Sequence, residues 1–277
     1  MTIPLYCYRG QPLFFGQGDV IRYACLSPPL QAQGEPHAGR KWPLLIYLHG
    51  SLTTPESLYL SGRDLFALHD TFPLSGDPEV KGFYVLSPEG RRATPWPSNG
   101  PETGSGFHWD EWYRDPSRNL DALAIDRFLN QVIATGRIDT RRIYVFGWSN
   151  GAYMAALYGV WRGDRIAAIG QYAGADPWSR TPCPVSLQAP RKVPLVLLRN
   201  LCDALVPCAT TSAWVTTLTQ RSWPFAFHNL GLLGAVTRET RCTLRCSKPT
   251  GLYEHIRWPN TDALKEMLSF LRRHPLP

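Results

Sequence analysis

Residues 42–51 read WPLLIYLHGS, a continuous apolar run of strand length that ends in His-Gly. A strand with one face in water alternates apolar and polar side chains, so an unbroken run implies cover on both faces, as in a parallel sheet. The pattern returns in KGFYVLSPEG (81–90), RRIYVFG (141–147), RIAAIGQYAG (165–174) and KVPLVLLRN (192–200), and GLYEHIRW (251–258) reads as the last strand. Helical stretches lie between these runs. TPESLYLSGRDLFALHD (54–70) opens on a Thr-Pro-Glu start signal, and SRNLDALAIDRFLNQVIATG (117–136) places Leu120, Leu123, Ile125, Phe128, Leu129 and Val132 near helical spacing before a closing glycine. Further helices are expected at 150–161 and 209–219, with an irregular stretch after the latter, and in TDALKEMLSFLRRH (261–274).

Strand and helix therefore alternate from residue 43 onward, which demands right-handed crossovers, a mostly parallel central sheet and helices on both faces. Residues 1–42 carry a short antiparallel pair, PLFF and VIRYACL, around a Gly-Gln-Gly-Asp turn. Residues 91–116 have no periodicity, yet carry Trp96, Trp109, Trp112 and Tyr113 among Pro, Gly and Ser. Disordered segments are poor in aromatics, so this stretch reads as a packed loop that forms part of a site. With no repeat or linker, the 277 residues read as one α/β domain.

The charge balance, 29 Lys and Arg against 22 Asp and Glu, is modestly basic. Its basic residues are scattered as pairs (Arg40-Lys41, Arg91-Arg92, Arg141-Arg142, Arg272-Arg273), not run together among aromatics, which speaks against a nucleic-acid binder. A solvated basic surface or attraction of an anionic substrate accounts for it. No stretch reaches the ~20 apolar residues of a membrane span. MTIPLYCYRGQPLFFGQGD has no basic segment leading into an apolar one, so a cytoplasmic protein is expected if the sequence is complete, and a secreted one if it is a processed form. Seven cysteines (Cys7, Cys25, Cys183, Cys202, Cys208, Cys242, Cys246) leave reduced thiols and disulfides open. A bridge between the 202–208 and 242–246 segments would brace the region of the candidate acid and base. The spacings within those two pairs suit structural zinc poorly, and no metal is expected.

Gly147-Trp148-Ser149-Asn150-Gly151 stands between a strand and a helix. A serine there sits on a sharp turn with its Oγ projecting from the top of the sheet, flanked by glycines because a Cβ would collide with neighbouring backbone. The helix that follows aims unpaired N–H groups at developing negative charge. The partners of such a serine follow in the order acid, then histidine. Asp203, at the end of LVLLRN, is the better placed acid, with Asp176 in AGADPW as its rival. His255 is the base, ahead of His228 and His274, because it lies just before the final helix. The backbone N–H groups of Ser51 and Asn150 are the candidate oxyanion donors, with the His49 side chain bracing their loop.

LIYLHGS, IDTRRIYVFGWSNGAYMAALY, DALVP and HIRWP ahead of a helix together resemble the esterase family of poly(3-hydroxybutyrate) depolymerases and feruloyl esterases, an α/β-hydrolase group. The resemblance covers roughly residues 42–273 and implies Ser149, Asp203 and His255 as triad, with Ser51 and Asn150 as oxyanion hole. The chain departs from the family in having Leu-Tyr-Glu before His255 where glycines are usual, Ser51 where Cys is common, Ala152 for a second glycine, and no signal segment. The expected activity is acyl-enzyme hydrolysis of a carboxylic ester, small or polymeric, without cofactor; a serine peptidase or amidase acting on an anionic polyamide is the alternative. Trp148, Trp258, Trp109, Trp112 and Tyr113 are the expected substrate-binding aromatics, while Trp42 and Trp161 are assigned to the core.

Overall fold

The computed structural model describes residues 7, 9–18, 20–34, 39–60, 62–92, 107–179, 185–231, 234–238 and 253–277. Its centre is a nine-stranded sheet in the order β1-β2-β4-β3-β7-β8-β9-β10-β11. The strands are β1 (Gln11–Gln17), β2 (Val20–Ser27), β3 (Trp42–Leu48), β4 (Tyr84–Pro88), β7 (Ile138–Trp148), β8 (Ala168–Tyr172), β9 (Leu195–Asn200), β10 (Phe225–Leu230) and β11 (Val236–Thr237). From β4 to β10 neighbours run parallel. The β1–β2 pair joins β4 antiparallel, and β11 closes the far edge antiparallel to β10.

Every residue of β3, β4, β8 and β9 is buried, which explains their unbroken apolar runs. Alternate side chains enter two separate cores. Leu44, Ile46, Leu48 and Val145 pack on one face against α3 (Leu120–Ile133), α4 (Asn150–Trp161) and α5 (Cys208–Gln220). Leu45, Tyr47, Tyr144 and Phe146 pack on the other against α2 (Arg63–His69) and α6 (Thr261–Arg272), the latter through Leu264, Met267, Leu268 and Leu271. Trp42 is buried in the first core and Trp161 packs against its margin.

Three local expectations change. The helix foreseen over 54–70 breaks into α1 (Ser57–Leu60) and α2, with Gly62 between them. The stretch after α5, expected to be irregular, begins with a strand, since Phe225–Leu230 forms β10 in parallel register with β9; residues 232–233 and 239–252 lie outside the described residues. GLYEHIRW is not a strand: residues 253–256 form a helical turn, and 251–252 lie outside the described residues. The mixed apolar and polar composition of FAFHNL hid a strand between β9 and β11 whose first four residues are only partly covered. Of the aromatic loop, β5 (Arg91–Arg92) and β6 (Phe107–His108) pair antiparallel, and Trp96 lies outside the described residues.

Cys7 and Cys25 are joined by a disulfide, and Cys202 and Cys208 are each disulfide-bonded as well. Cys242 and Cys246 lie outside the described residues, so the expected 202–208 to 242–246 bridge is not addressed. With four of the seven cysteines in disulfides, thiol titration of the denatured, unreduced protein will find three or fewer free thiols; four or more would contradict these bridges.

Candidate active site

β7 ends at Trp148 and α4 starts at Asn150, leaving Ser149 alone on the turn with φ 56° and ψ −122°. That backbone is disfavoured for any residue with a Cβ and costs on the order of 1–3 kcal/mol. It is held because Ser149 N–H donates to the Tyr172 carbonyl at 3.0 Å, and the Ser149 carbonyl accepts from Ala152 N at 2.9 Å to begin the helix. A Cβ on Gly147 would run into the Gly151 carbonyl, and one on Gly151 into the Leu48 and His49 carbonyls. Both glycines are therefore demanded by backbone contact, as their spacing predicts.

The Ser149 hydroxyl lies 2.9 Å from His255 Nε2, and His255 Nδ1 lies 2.9 and 2.8 Å from the two Asp203 carboxylate oxygens. Asp203 Oδ1 also accepts from Leu205 N at 2.8 Å and Val206 N at 2.9 Å, which fixes the carboxylate in the loop after β9. His255 and Asp203 are both buried. The three side chains thus form one hydrogen-bonded chain from hydroxyl to carboxylate. The rival residues are engaged elsewhere. Asp176 accepts from Trp178 N at 2.8 Å, His228 sits within β10 opposite Leu198, and His274 contacts the Phe270 carbonyl at 2.8 Å.

His49 is fully buried at the end of β3. Its Nε2 accepts from Gly90 N at 2.9 Å, which leaves Nδ1 as the protonated nitrogen, donating to the Gly50 carbonyl at 2.8 Å. Burial drives its pKa down to about 4, so the ring is neutral at ordinary pH. The ring thus braces the turn carrying Ser51, which Thr53 N closes onto the Gly50 carbonyl. Residues 107–111 hold both sides of this region. Leu52 N donates to the Phe107 carbonyl, the Trp109 indole donates to the His49 carbonyl, and the Asn150 amide exchanges hydrogen bonds with Trp109 N at 2.7 Å and Trp109 O at 3.1 Å. The Asn150 amide also donates to the buried Glu111 carboxylate. The segment is anchored in turn by a buried charge network, in which Asp110 N donates to Asp121 and the Asp121 carboxylate pairs with Arg22 at 2.8 Å and Arg91 at 3.4 Å.

The expected aromatic groove is revised. Trp109, Trp148 and Trp258 are buried, with Trp148 donating its indole N–H to the His255 carbonyl at 3.1 Å and its ring lying tilted at 5.9 Å from Trp258. Trp109 and Trp148 support the site from behind, since their indole N–H groups are bonded to the His49 and His255 carbonyls, and Trp258 packs against Trp148 and Tyr47. Trp112 and Tyr113 stay half-buried and keep a partly open face. The sequence reading passed over four aliphatic or aromatic side chains that flank the site residues. Leu52 (69% exposed), Leu205 (59%), Tyr253 (53%) and Ile256 (50%) each lie within two residues of Ser51, Asp203 or His255. Their signal is their place in the sequence, each within two residues of a candidate site residue. Among the described residues no cluster of His, Cys, Asp or Glu is arranged to hold a metal ion.

No protein-family model matches the sequence, and no curated protein does. Solved structures do resemble the fold. A thermostable esterase superposes with a TM-score of 0.57 at 16% identity over 96% of this chain, which spans only 63% of that protein. A ferulic acid esterase gives 0.61 at 15% identity, covering 95% of this chain and 97% of its own. Pyrococcus horikoshii acylaminoacyl peptidase gives 0.55 at 15% identity over 98% of this chain and 42% of that one.

The buried neutral histidines set an acid limit on stability. His49 and the likewise buried His69 have folded pKa values near 4, well below the unfolded imidazole's. Between about pH 6.5 and 4 the unfolded chain binds protons that the folded one refuses, so stability falls as pH falls through that window. The urea midpoint will be lower at pH 5 than at pH 7, and the ring resonances of His49 and His69 will not titrate between those values; titration of both rings near pH 6.5 would contradict it. The sheet order, the strand-to-helix turn at Ser149 and the likeness to solved esterases and peptidases together show that the chain has the α/β-hydrolase fold.

Proposed function

We propose that the chain is a serine hydrolase that cleaves a carboxylic ester through an acyl-enzyme. The observation that carries this reading is the hydrogen-bonded chain Ser149–His255–Asp203 at 2.9 and 2.8 Å. In the reading, Ser149 Oγ attacks the ester carbonyl as its proton passes to His255 Nε2, with Asp203 orienting the imidazole and stabilising its cation. The tetrahedral oxyanion is held by the backbone N–H groups of Ser51 and Asn150, each donor contributing a factor of about 10²–10³. His255 then returns the proton to the leaving alcohol oxygen as the carbonyl reforms. Water, deprotonated by the same imidazole, attacks the acyl-enzyme and releases the acid, restoring Ser149.

The exposed Leu52, Leu205, Tyr253 and Ile256, with the half-buried Trp112 and Tyr113, support an ester with apolar groups on its acyl or alcohol side, free or within a polymer. Amide cleavage by the same residues is the second reading, favoured by the fold shared with an acylaminoacyl peptidase. Turnover of a p-nitrophenyl ester against the p-nitroanilide of the same acyl group separates the two. We further infer an oxidising compartment, since disulfides persist there and are rare in reducing cytosol.

Residues of such a unit act together, so Ser149→Ala and His255→Ala will each cost on the order of 10⁶-fold in kcat, and the double variant will be hardly worse. Asp203→Asn will fold and yet lose about 10⁴-fold, because the histidine takes the wrong tautomer. Steady-state kinetics on a p-nitrophenyl ester checks all four variants. Near wild-type turnover by His255→Ala would remove the proposed base, and an undiminished Asp203→Asn would remove the acid.

A further inference from the structure

Resting on the serine-hydrolase reading, we propose that Asn200 and Glu254 form a positioning pair that sets the distance between the acid loop and the base turn. Asn200 closes β9, three residues before Asp203, and Glu254 immediately precedes His255. Both side chains are buried, at 1% and 2% exposure. Asn200 Nδ2 donates to Glu254 Oε2 at 2.9 Å, while Asn200 Oδ1 accepts from Cys202 N at 2.9 Å. The Asn200 main-chain carbonyl accepts from Asp203 N at 3.3 Å. One amide group therefore grips the acid loop with its oxygen and the base turn with its nitrogen. Glu254 is also paired with Arg257, whose Nε lies 3.1 Å from each carboxylate oxygen, and the Arg257 guanidinium lies over the Tyr253 ring.

A carboxylate removed from water destabilises a fold unless it is fully paired, and an apolar residue of similar size would pack the same space at less cost. The charge at Glu254 fits a demand for direction. Its acceptor geometry locks the 253–256 turn along one line relative to β9, and catalytic geometry tolerates displacements well below 1 Å. The turn is also tied to the nucleophile side. The Tyr172 hydroxyl donates to the Arg257 carbonyl, and the Tyr172 carbonyl receives Ser149 N–H. Asn200–Glu254 joins base to acid through side chains other than the triad's own.

The test uses the full chain and p-nitrophenyl acetate, with folding followed by circular dichroism at the assay temperature. Asn200→Asp keeps the acceptor for Cys202 N but sets a carboxylate against Glu254, and kcat will fall about 10- to 100-fold with KM within about twofold. Combining Asn200→Asp with Glu254→Gln restores the hydrogen bond with its direction reversed, and kcat will recover to within a few-fold of wild type. Glu254→Gln alone still offers an oxygen to Asn200 and will lose less than Asn200→Asp. A folded Asn200→Asp variant with unchanged kcat, or a double variant as slow as Asn200→Asp, would overturn the pairing. A wild-type protein that turns over no ester fails the hydrolase reading and takes the pair's role with it, whereas an active wild type with indifferent variants fails the pair alone.

Discussion

The backbone at Ser149 depends on close contact with four elements. β7 runs up to it, α4 leaves from it, and the ends of β3 and β8 close on its two sides. Only hydrogens at Gly147 and Gly151 allow the strand and helix to approach as they do. Ser149 joins the two elements with a positive φ, its N–H satisfied by the Tyr172 carbonyl. The conformational penalty is offset by the two cores on either face of the sheet, which bury strands on both sides and leave the turn little room to relax.

Around that turn, the side chains next to the candidate catalytic groups tie one loop to another. Trp148 and Asn150 flank the serine, and each reaches across to another loop, Trp148 to the His255 carbonyl and Asn150 to Trp109. His49 serves in the same way, as a neutral ring spanning the Gly90 and Gly50 backbones. Buried hydrogen bonds of this kind are worth little net energy each but are expensive to leave unmade, so they select one loop arrangement over others.

Much of this was legible in the sequence because it follows from local rules. The unbroken apolar runs give parallel strands, and α4 spans the predicted 150–161. Asp203 and His255 could be picked from chain order and from their place ahead of later elements, and the structure sets them beside Ser149. The errors have physical causes. β10 is a partly exposed strand, so its pattern was too weak to read, and the turn bearing His255 resembles a strand in composition because Leu, Tyr, Ile and Trp suit either. Proximity to the serine and histidine, and a loop setting, suggest tryptophans in a groove, yet Trp109 finds internal carbonyl partners that only the folded chain reveals. Long-range pairs such as Asn200 with Glu254, 54 residues apart, carry no signal in a single sequence.

The central claim is that Ser149 is a nucleophile activated by His255. Reaction of the native protein with a fluorophosphonate probe, followed by peptide mass spectrometry, tests it most directly. The account predicts one label per chain, on Ser149, that is lost in Ser149→Ala and nearly lost in folded His255→Ala. A native protein that takes up no label, takes it up on another serine, or labels equally well without His255 would contradict it.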